Sequence, residues 1–303
     1  MGDYALDVTV PRIYCGEDLQ PHRPEDALSC CGSTAVIEWE IEDGTSRETY
    51  LTPVFWLETI ETGPDTIQLS GHGRLSLLDK AHRARPKEMG GRTYGEVFHE
   101  IFTDPFLPDI TIFDAAIKGN TPKDYKLGTG VRAAVEEILQ ASTAVLREYP
   151  GGLIQARPTP SLDRPPVGRL VDGEDGTVVS APSKFDRAWR VNRVIVRGNS
   201  DAHGEFAQEA TERFGPFRPE VYGLVCEEVS NPAIDSPAQA ATVALNTLRE
   251  RGKYARTLQV RALTQWHISL DDIVDFGESR GLVVGVEWPL DGSPVMDFEI
   301  TTI

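Results

Sequence analysis

Carboxylates are the most numerous reactive groups in this chain, 47 Asp and Glu against 30 Lys and Arg, for a net charge of −17. Two of them placed across a glycosidic bond would make a hydrolase. Residue types allow that, but an acidic chain always offers such pairs, and none here stands beside an aromatic platform for a sugar. The six histidines (22, 72, 82, 99, 203 and 267) lack metal-site spacing, although a fold could bring His72 and His82 together. Cys15, Cys30, Cys31 and Cys226 include no C-x-x-C pair, so they read as small buried or half-buried thiols in a reducing compartment. A Cys15–Cys30 disulfide stays open should the strands flanking them pair. Nucleophile-elbow, Walker A, H-E-x-x-H and dinucleotide-binding patterns are absent. Gly71-His72-Gly73 is too short to cradle a phosphate, and the acidic loop at 172–176 lacks the closing Glu of a calcium loop. No catalytic residue, metal ligand or cofactor is expected.

The residues left to explain are polar ones inside an apolar stretch. Trp189-Arg-Val-Asn-Arg-Val-Ile-Val-Arg-Gly198 alternates with period two, as a half-buried strand does. Trp189, Asn192 and Arg193 are its candidate interface or structural residues. Arg193 either reaches a carboxylate or carbonyl, in this chain or on a neighbouring subunit, or points to solvent.

The elements that must position these residues fall into three groups. Residues 1–84 read as an N-terminal β-barrel domain, with strands at Leu6–Val10, Ala35–Ile41, Tyr50–Ile60 and Thr66–Leu78. Turns are expected at Glu42–Thr45 and Gly63–Asp65. The Pro-rich and Cys-rich loop from 16 to 32 is a candidate contact loop. Residues 85–160 read as a small α+β module. Thr93-x-x-Glu96 is a capping box before a helix that ends at Asp104-Pro105, and a strand follows at Ile110–Phe113. Val131, Ala134, Val135, Ile138 and Leu139 form the stripe of a second helix, and Pro150-Gly151-Gly152 turns a hairpin. Residues 161–303 read as a second β-barrel domain. Its strands are Trp189–Gly198, Glu205–Ala210, Glu220–Val229, Thr257–Leu263, Ile273–Phe276, Leu282–Trp288 and Val295–Ile303. It holds an inserted helix at about 236–252, with Ser236 as N-cap and Pro237 at N1. The tryptophans at 39, 56, 189, 266 and 288 lie in or beside strands and read as core. The fold class is therefore α+β, mainly β: two small tube-like β-barrel domains with an intervening α+β module.

The charge argues against broad nucleic-acid binding, which needs clustered Lys and Arg. It serves either solubility or an acidic wall that repels DNA. No apolar run is long enough for a membrane span, and the first residues carry no secretory signal, so no membrane anchor is expected.

The layout resembles the tail hub proteins of tailed bacteriophages: the contractile-tail baseplate hub, the late control tail protein and related minor tail proteins of long-tailed phages. Three signatures carry the resemblance over residues 90–280. They are the helix–helix–hairpin module ending in Leu153–Pro158, the N-R-V-x-V-x-G strand at 192–198, and the S-x-A-Q-A helix start at Ser236–Ala240. A strand at Leu258–Val260 and an L-x-x-D-I-V turn at Leu270–Val274 follow that helix start. One departure is Gln265-Trp266-His267-Ile268, where the family has a Pro-rich approach. The resemblance implies a structural virion protein without enzymatic activity, assembled in the host cytoplasm. It also implies a homotrimer forming a pseudo-sixfold ring, with tail tube or distal tail proteins on one side and tip or spike proteins on the other. DNA would pass through the lumen without specific binding. The alternatives are a carbohydrate- or receptor-binding tail module and a tail-associated cell-wall hydrolase.

Overall fold

The computed structural model describes residues 4–42, 47–103, 111–113, 116–174, 176–184, 190–252 and 256–302. The chain is mainly β, with two half-barrel sheets around a helical centre, and so has the α+β class expected of it.

The N-terminal half-barrel orders its strands Ala5–Pro11, Thr66–Gly73, Phe55–Thr62 and Thr34–Ala35, all antiparallel. Period-two alternation turns Leu6, Phe55, Leu57, Ile67 and Leu69 into one core. A hairpin of Glu38–Glu42 and Arg47–Leu51 stands beside it. Its expected turn falls on residues 43–46, outside the described residues. The apolar run at 50–60 is interrupted, because Pro53 separates Arg47–Leu51 from Phe55–Thr62. The run at 66–78 stops being a strand at Gly73. Residues 74–80 are helical, because the Glu148 carboxylate, from a distant hairpin, accepts from the backbone N–H of Arg74 and Leu75.

In the centre, Thr93 caps the helix Tyr94–Phe102 as expected. Its Oγ1 accepts from Glu96 N at 3.2 Å, and Glu96 Oε2 accepts from Thr93 N at 2.8 Å. Tyr94, Val97, Phe98 and Ile101 are buried on one stripe. The expected stop at Asp104-Pro105 lies outside the described residues. The helix Val131–Ser142 buries Val131, Ala134, Val135, Ile138 and Leu139 and ends at Thr143 in the left-handed region. The hairpin Ala144–Tyr149 and Leu153–Pro158 follows, and Thr111–Phe113 pairs parallel to its second strand.

The C-terminal half-barrel runs Gly168–Leu170, Ile273–Phe276, Ser279–Glu287, Val295–Thr302, Arg256–Leu263 and Val178–Ser180. Leu258, Val260, Val283, Phe298 and Ile300 fill its core. A separate three-stranded sheet orders Gly204–Thr211, Arg193–Ser200 and Cys226–Ser230.

The strand Arg193–Ser200 and the helix Pro237–Gly252 fall in the 161–303 segment that the sequence reading treats as one barrel unit. Their buried residues lie elsewhere. Val194, Val196, Ala240, Val243, Ala244 and Leu248 share a single core with the two central helices. Gln239 shows the join. Its Nε2 donates to the Tyr94 hydroxyl at 2.6 Å and to the Ala141 carbonyl at 3.1 Å, while its Oε1 accepts from Asp235 N at 2.9 Å. Alternation marks a buried face but not the partner it is buried against, and the alanine stripe lets this helix approach the central module closely. The expected strand at 220–229 begins later. Pro219–Tyr222 is a helical turn closed by Gly223 at φ 94°, and pairing starts at Cys226.

Candidate functional site

The hairpin Ala144–Pro158 sits where the two half-barrels and the central module meet. One face of it, Leu146, Ile154 and Ala156, is buried in the central core. From the same hairpin Arg147 and Arg157 converge on Asp271, from the loop before Ile273–Phe276. Arg147 Nη2 donates to Asp271 Oδ1 at 2.9 Å, its Nε donates to Oδ2, and Arg157 Nη2 lies 3.1 Å from Oδ2. Arg157 also donates to the Leu270 carbonyl at 3.1 Å and to the Tyr149 hydroxyl at 2.9 Å. Asp271 is 7% exposed. Burial pulls the Arg157 pKa down, but Tyr149 and Asp271 outweigh it and hold Arg157 above its ordinary value. Asp271 has φ 68°, a left-handed conformation that Asp tolerates better than most side chains. Both guanidiniums and the carboxylate are thus engaged with each other, and the triad ties the hairpin to the C-terminal half-barrel.

Above it lies a cleft of about 510 Å³ whose walls carry Tyr4, Trp39, Tyr50, Trp266 and Trp288. Trp39 and Trp266 pack with centroids 4.8 Å apart, Tyr50 stacks on Trp266 at 6.1 Å, and Tyr4 stacks on Trp288 at 6.0 Å. The N-terminal half-barrel and its hairpin thus meet the C-terminal half-barrel through aromatic faces. These rings are half-buried rather than sealed in a core, so the expectation of simple core packing is only partly met for Trp39, Trp266 and Trp288. The sequence signal for the cleft was present in the departure at Gln265–Ile268, where Trp266 stands. Burial pushes the Tyr4 hydroxyl up to about 12, Arg147 pulling the other way, so Tyr4 is protonated at neutral pH.

Of the three singled-out residues, Trp189 lies outside the described residues. Asn192 is 1% exposed and lies just ahead of the strand. Its Nδ2 donates to the carbonyls of Phe217 and Gly223 at 3.0 and 2.6 Å, and its Oδ1 accepts from Val225 N at 2.9 Å. It therefore pins the 212–225 loop to the start of the strand. Arg193 meets neither a carboxylate nor a carbonyl in these contacts: its Nε donates to the Thr211 hydroxyl across the ladder at 3.2 Å. Gly198 is set by close approach, since a Cβ there would stand 2.6 Å from the Phe206 ring.

A half-buried acid, Glu137, lies in the centre. Burial pushes the Glu137 carboxyl above its ordinary range, partly countered by the Tyr125 hydroxyl donating at 3.0 Å. A raised folded-state pKa means the folded state binds more protons than the unfolded one. The contribution of Glu137 to stability is then greatest at low pH and falls as pH rises from about 4.3, the unfolded value, through the folded value. Glu137→Gln keeps an acceptor for Tyr125 and removes the charge. Urea melts from pH 4 to 8 are expected to show a flatter profile for the variant, with stability at pH 8 equal to or above the wild type. An unchanged slope would show that Glu137 does not titrate in this window.

Among the described residues, no group of three or more His, Cys, Asp or Glu could hold a metal ion. Cys15, Cys30, Cys31 and Cys226 are unpaired and exposed rather than buried or half-buried as expected, since they sit in turns and at a strand end instead of on a core face. His72 faces Glu58 at 3.9 Å, and His82 bridges to Gly130. No described helix is long and apolar enough to cross a membrane.

The fold resembles that of phage tail proteins of known structure. The chain is similar to the tail protein from Neisseria meningitidis MC58, with a TM-score of 0.60 and 14% identity over 97% of this chain and 96% of that one. It is similar to the 43 kDa tail protein of prophage MuSo2 from Shewanella oneidensis, with a TM-score of 0.62 and 11% identity over 99% and 90%. It also resembles the E. coli c3393 protein, a component of the type VI secretion system, with a TM-score of 0.52 and 10% identity over 100% and 70%. No family model matches the sequence, and no curated protein does.

Proposed function

We propose that this chain is a structural protein of a phage tail or a related injection particle, acting as the hub that joins the tail tube to the distal tip. The observation that carries this is the pair of open half-barrel sheets in one chain, in a fold shared over nearly the full length of two tail proteins. Three chains would present six such sheets, so a homotrimer supplies a pseudo-sixfold ring for a tube on one side and a threefold tip or spike on the other. A net charge of −17 supports a lumen through which DNA slides without being held. The ion-pair triad and aromatic seam serve as mechanical joints in this reading, and no catalytic role is assigned to any residue. The division at about 84 and 160 remains part of the proposal, with the 193–252 segment docked on the central module. Light scattering of the purified chain tests it. The expected mass is about 100 kDa for three 33.4 kDa chains, and cryo-EM classes should show threefold or pseudo-sixfold symmetry. A chain that stays monomeric at high concentration and shows no ring would overturn the hub reading.

One observation favours a second reading, a carbohydrate-binding tail module. The cleft puts aromatic faces beside Arg147, Arg157 and Asp272, the mixture that recognises a sugar's apolar face and its hydroxyls. Calorimetry with bacterial surface glycans, repeated on Trp266→Ala, decides it. Saturable binding lost in the variant supports a glycan site, and no heat with any glycan removes it.

A further inference from the structure

We propose that the 212–225 loop is one half of a contact between two copies of this chain, and that its counterpart is the outward face of the hairpin formed by Glu38–Glu42 and Arg47–Leu51. The inference rests on the ring assembly proposed above and names the surfaces that would build it.

The loop exposes more apolar surface than a solvated turn normally does. Phe214 is 81% exposed, Val221 58% and Leu224 56%. It is nevertheless held firmly. Asn192 ties down the Phe217 and Gly223 carbonyls and the Val225 N–H. Phe217 packs edge-on against Tyr222 at 5.5 Å, and the Arg190 guanidinium lies 3.7 Å from the Phe217 ring centre. A loop this well anchored presents Phe214 without the ordering cost that a mobile loop incurs on binding. Its tip, Arg213-Phe-Gly-Pro-Phe-Arg218, carries two exposed arginines, with Glu212 and Glu220 at its two ends, on a chain of net charge −17.

The hairpin offers the complement. Strand pairing sets Glu38 opposite Leu51, Glu40 opposite Thr49 and Glu42 opposite Arg47, all exposed. Period two turns Trp39 and Tyr50 to the other side, where both pack on Trp266, so the acidic face points outward from a fixed base. Leu51 on that face and Val36 just before it are exposed large apolar residues. The tip of the loop is thus apolar and basic, while the hairpin face is apolar and acidic, its three glutamates exceeding the single Arg47 that pairs with Glu40 and Glu42. Pairing the loop with itself would set Arg213 and Arg218 against their own copies. The complementary match is heterologous, knob to face, the arrangement that closes a ring by rotation.

The test uses the full chain. A photo-crosslinking amino acid at position 214 in an equal mixture of isotope-light and isotope-heavy protein should give mixed-isotope crosslinks to residues 36–51. Crosslinks elsewhere, or none between copies, overturn the contact. In parallel, Phe214→Asp and the pair Arg213→Glu with Arg218→Glu should each raise the dissociation constant of the assembly at least about tenfold. Glu38→Arg with Glu42→Arg should do the same. Combining the two reversals should restore most of the loss, with circular dichroism melts confirming that every variant is folded. If the wild type assembles and these variants assemble equally well, this contact is wrong while the hub reading stands. If the wild type never assembles, both fall.

Discussion

Asp271→Ala is expected to lose about 3–5 kcal/mol of stability, because it leaves two largely buried guanidiniums without their carboxylate. For a chain of this size that corresponds to a melting temperature lower by on the order of 10 °C. The loss has two parts. Arg147 and Arg157 would keep only their contacts to the Leu146 and Leu270 carbonyls and the Tyr149 hydroxyl. Alanine would also have to hold φ 68°, which Asp tolerates better. Asp271→Asn separates the parts, since Asn suits the left-handed region but carries no charge, and it should fall between wild type and Ala. Differential scanning calorimetry of the three proteins checks this. A melting temperature for the Ala variant within about 2 °C of wild type would mean that the triad is solvated rather than a buried joint.

Asn192→Ala is expected to cost about 2–4 kcal/mol, because the Val225 N–H and the carbonyls of Phe217 and Gly223 would lose their partner at a site only 1% exposed. The damage should be local at first. Hydrogen exchange should speed up most at Val225 and through the 217–225 segment, with smaller changes in the C-terminal half-barrel. Asn192→Asp keeps an acceptor for Val225 N–H but sets a carboxylate against two carbonyls, so it should be no better than Ala. Uniform exchange across the protein, or protection equal to wild type, would deny Asn192 its pinning role. Arg193→Glu removes one hydrogen bond to Thr211 in a half-buried setting and should cost less than either.

Much of the element list was legible because local chemistry specifies it. The capping box at Thr93 and Glu96, the stripe from Val131 to Leu139 and the Pro-Gly-Gly hairpin each appear where their residues say. The misplaced elements depended on distant groups. Residues 74–80 leave the sheet because Glu148, far along the chain, supplies acceptors to their N–H groups. The 219–225 segment turns before pairing because Asn192 holds the Gly223 carbonyl and the Val225 N–H. For the candidate site, the oddness of Asn192 and Arg193 was visible, but their partners were not.

By itself the sequence determined most of the strands and helices, their order, and through that order the resemblance to tail hub proteins. Periodicity and capping act over a few residues, so the chain states them locally. Only the tertiary structure decided that Val194 and the alanine-rich helix pack on the central module, that Arg147 and Arg157 meet Asp271, and that Trp39 finds Trp266. These pairings join residues far apart in the chain, and a buried face in a sequence does not name its partner. That choice is made when all the cores close together, because each face must find a surface of matching shape and each buried charge a counter-charge.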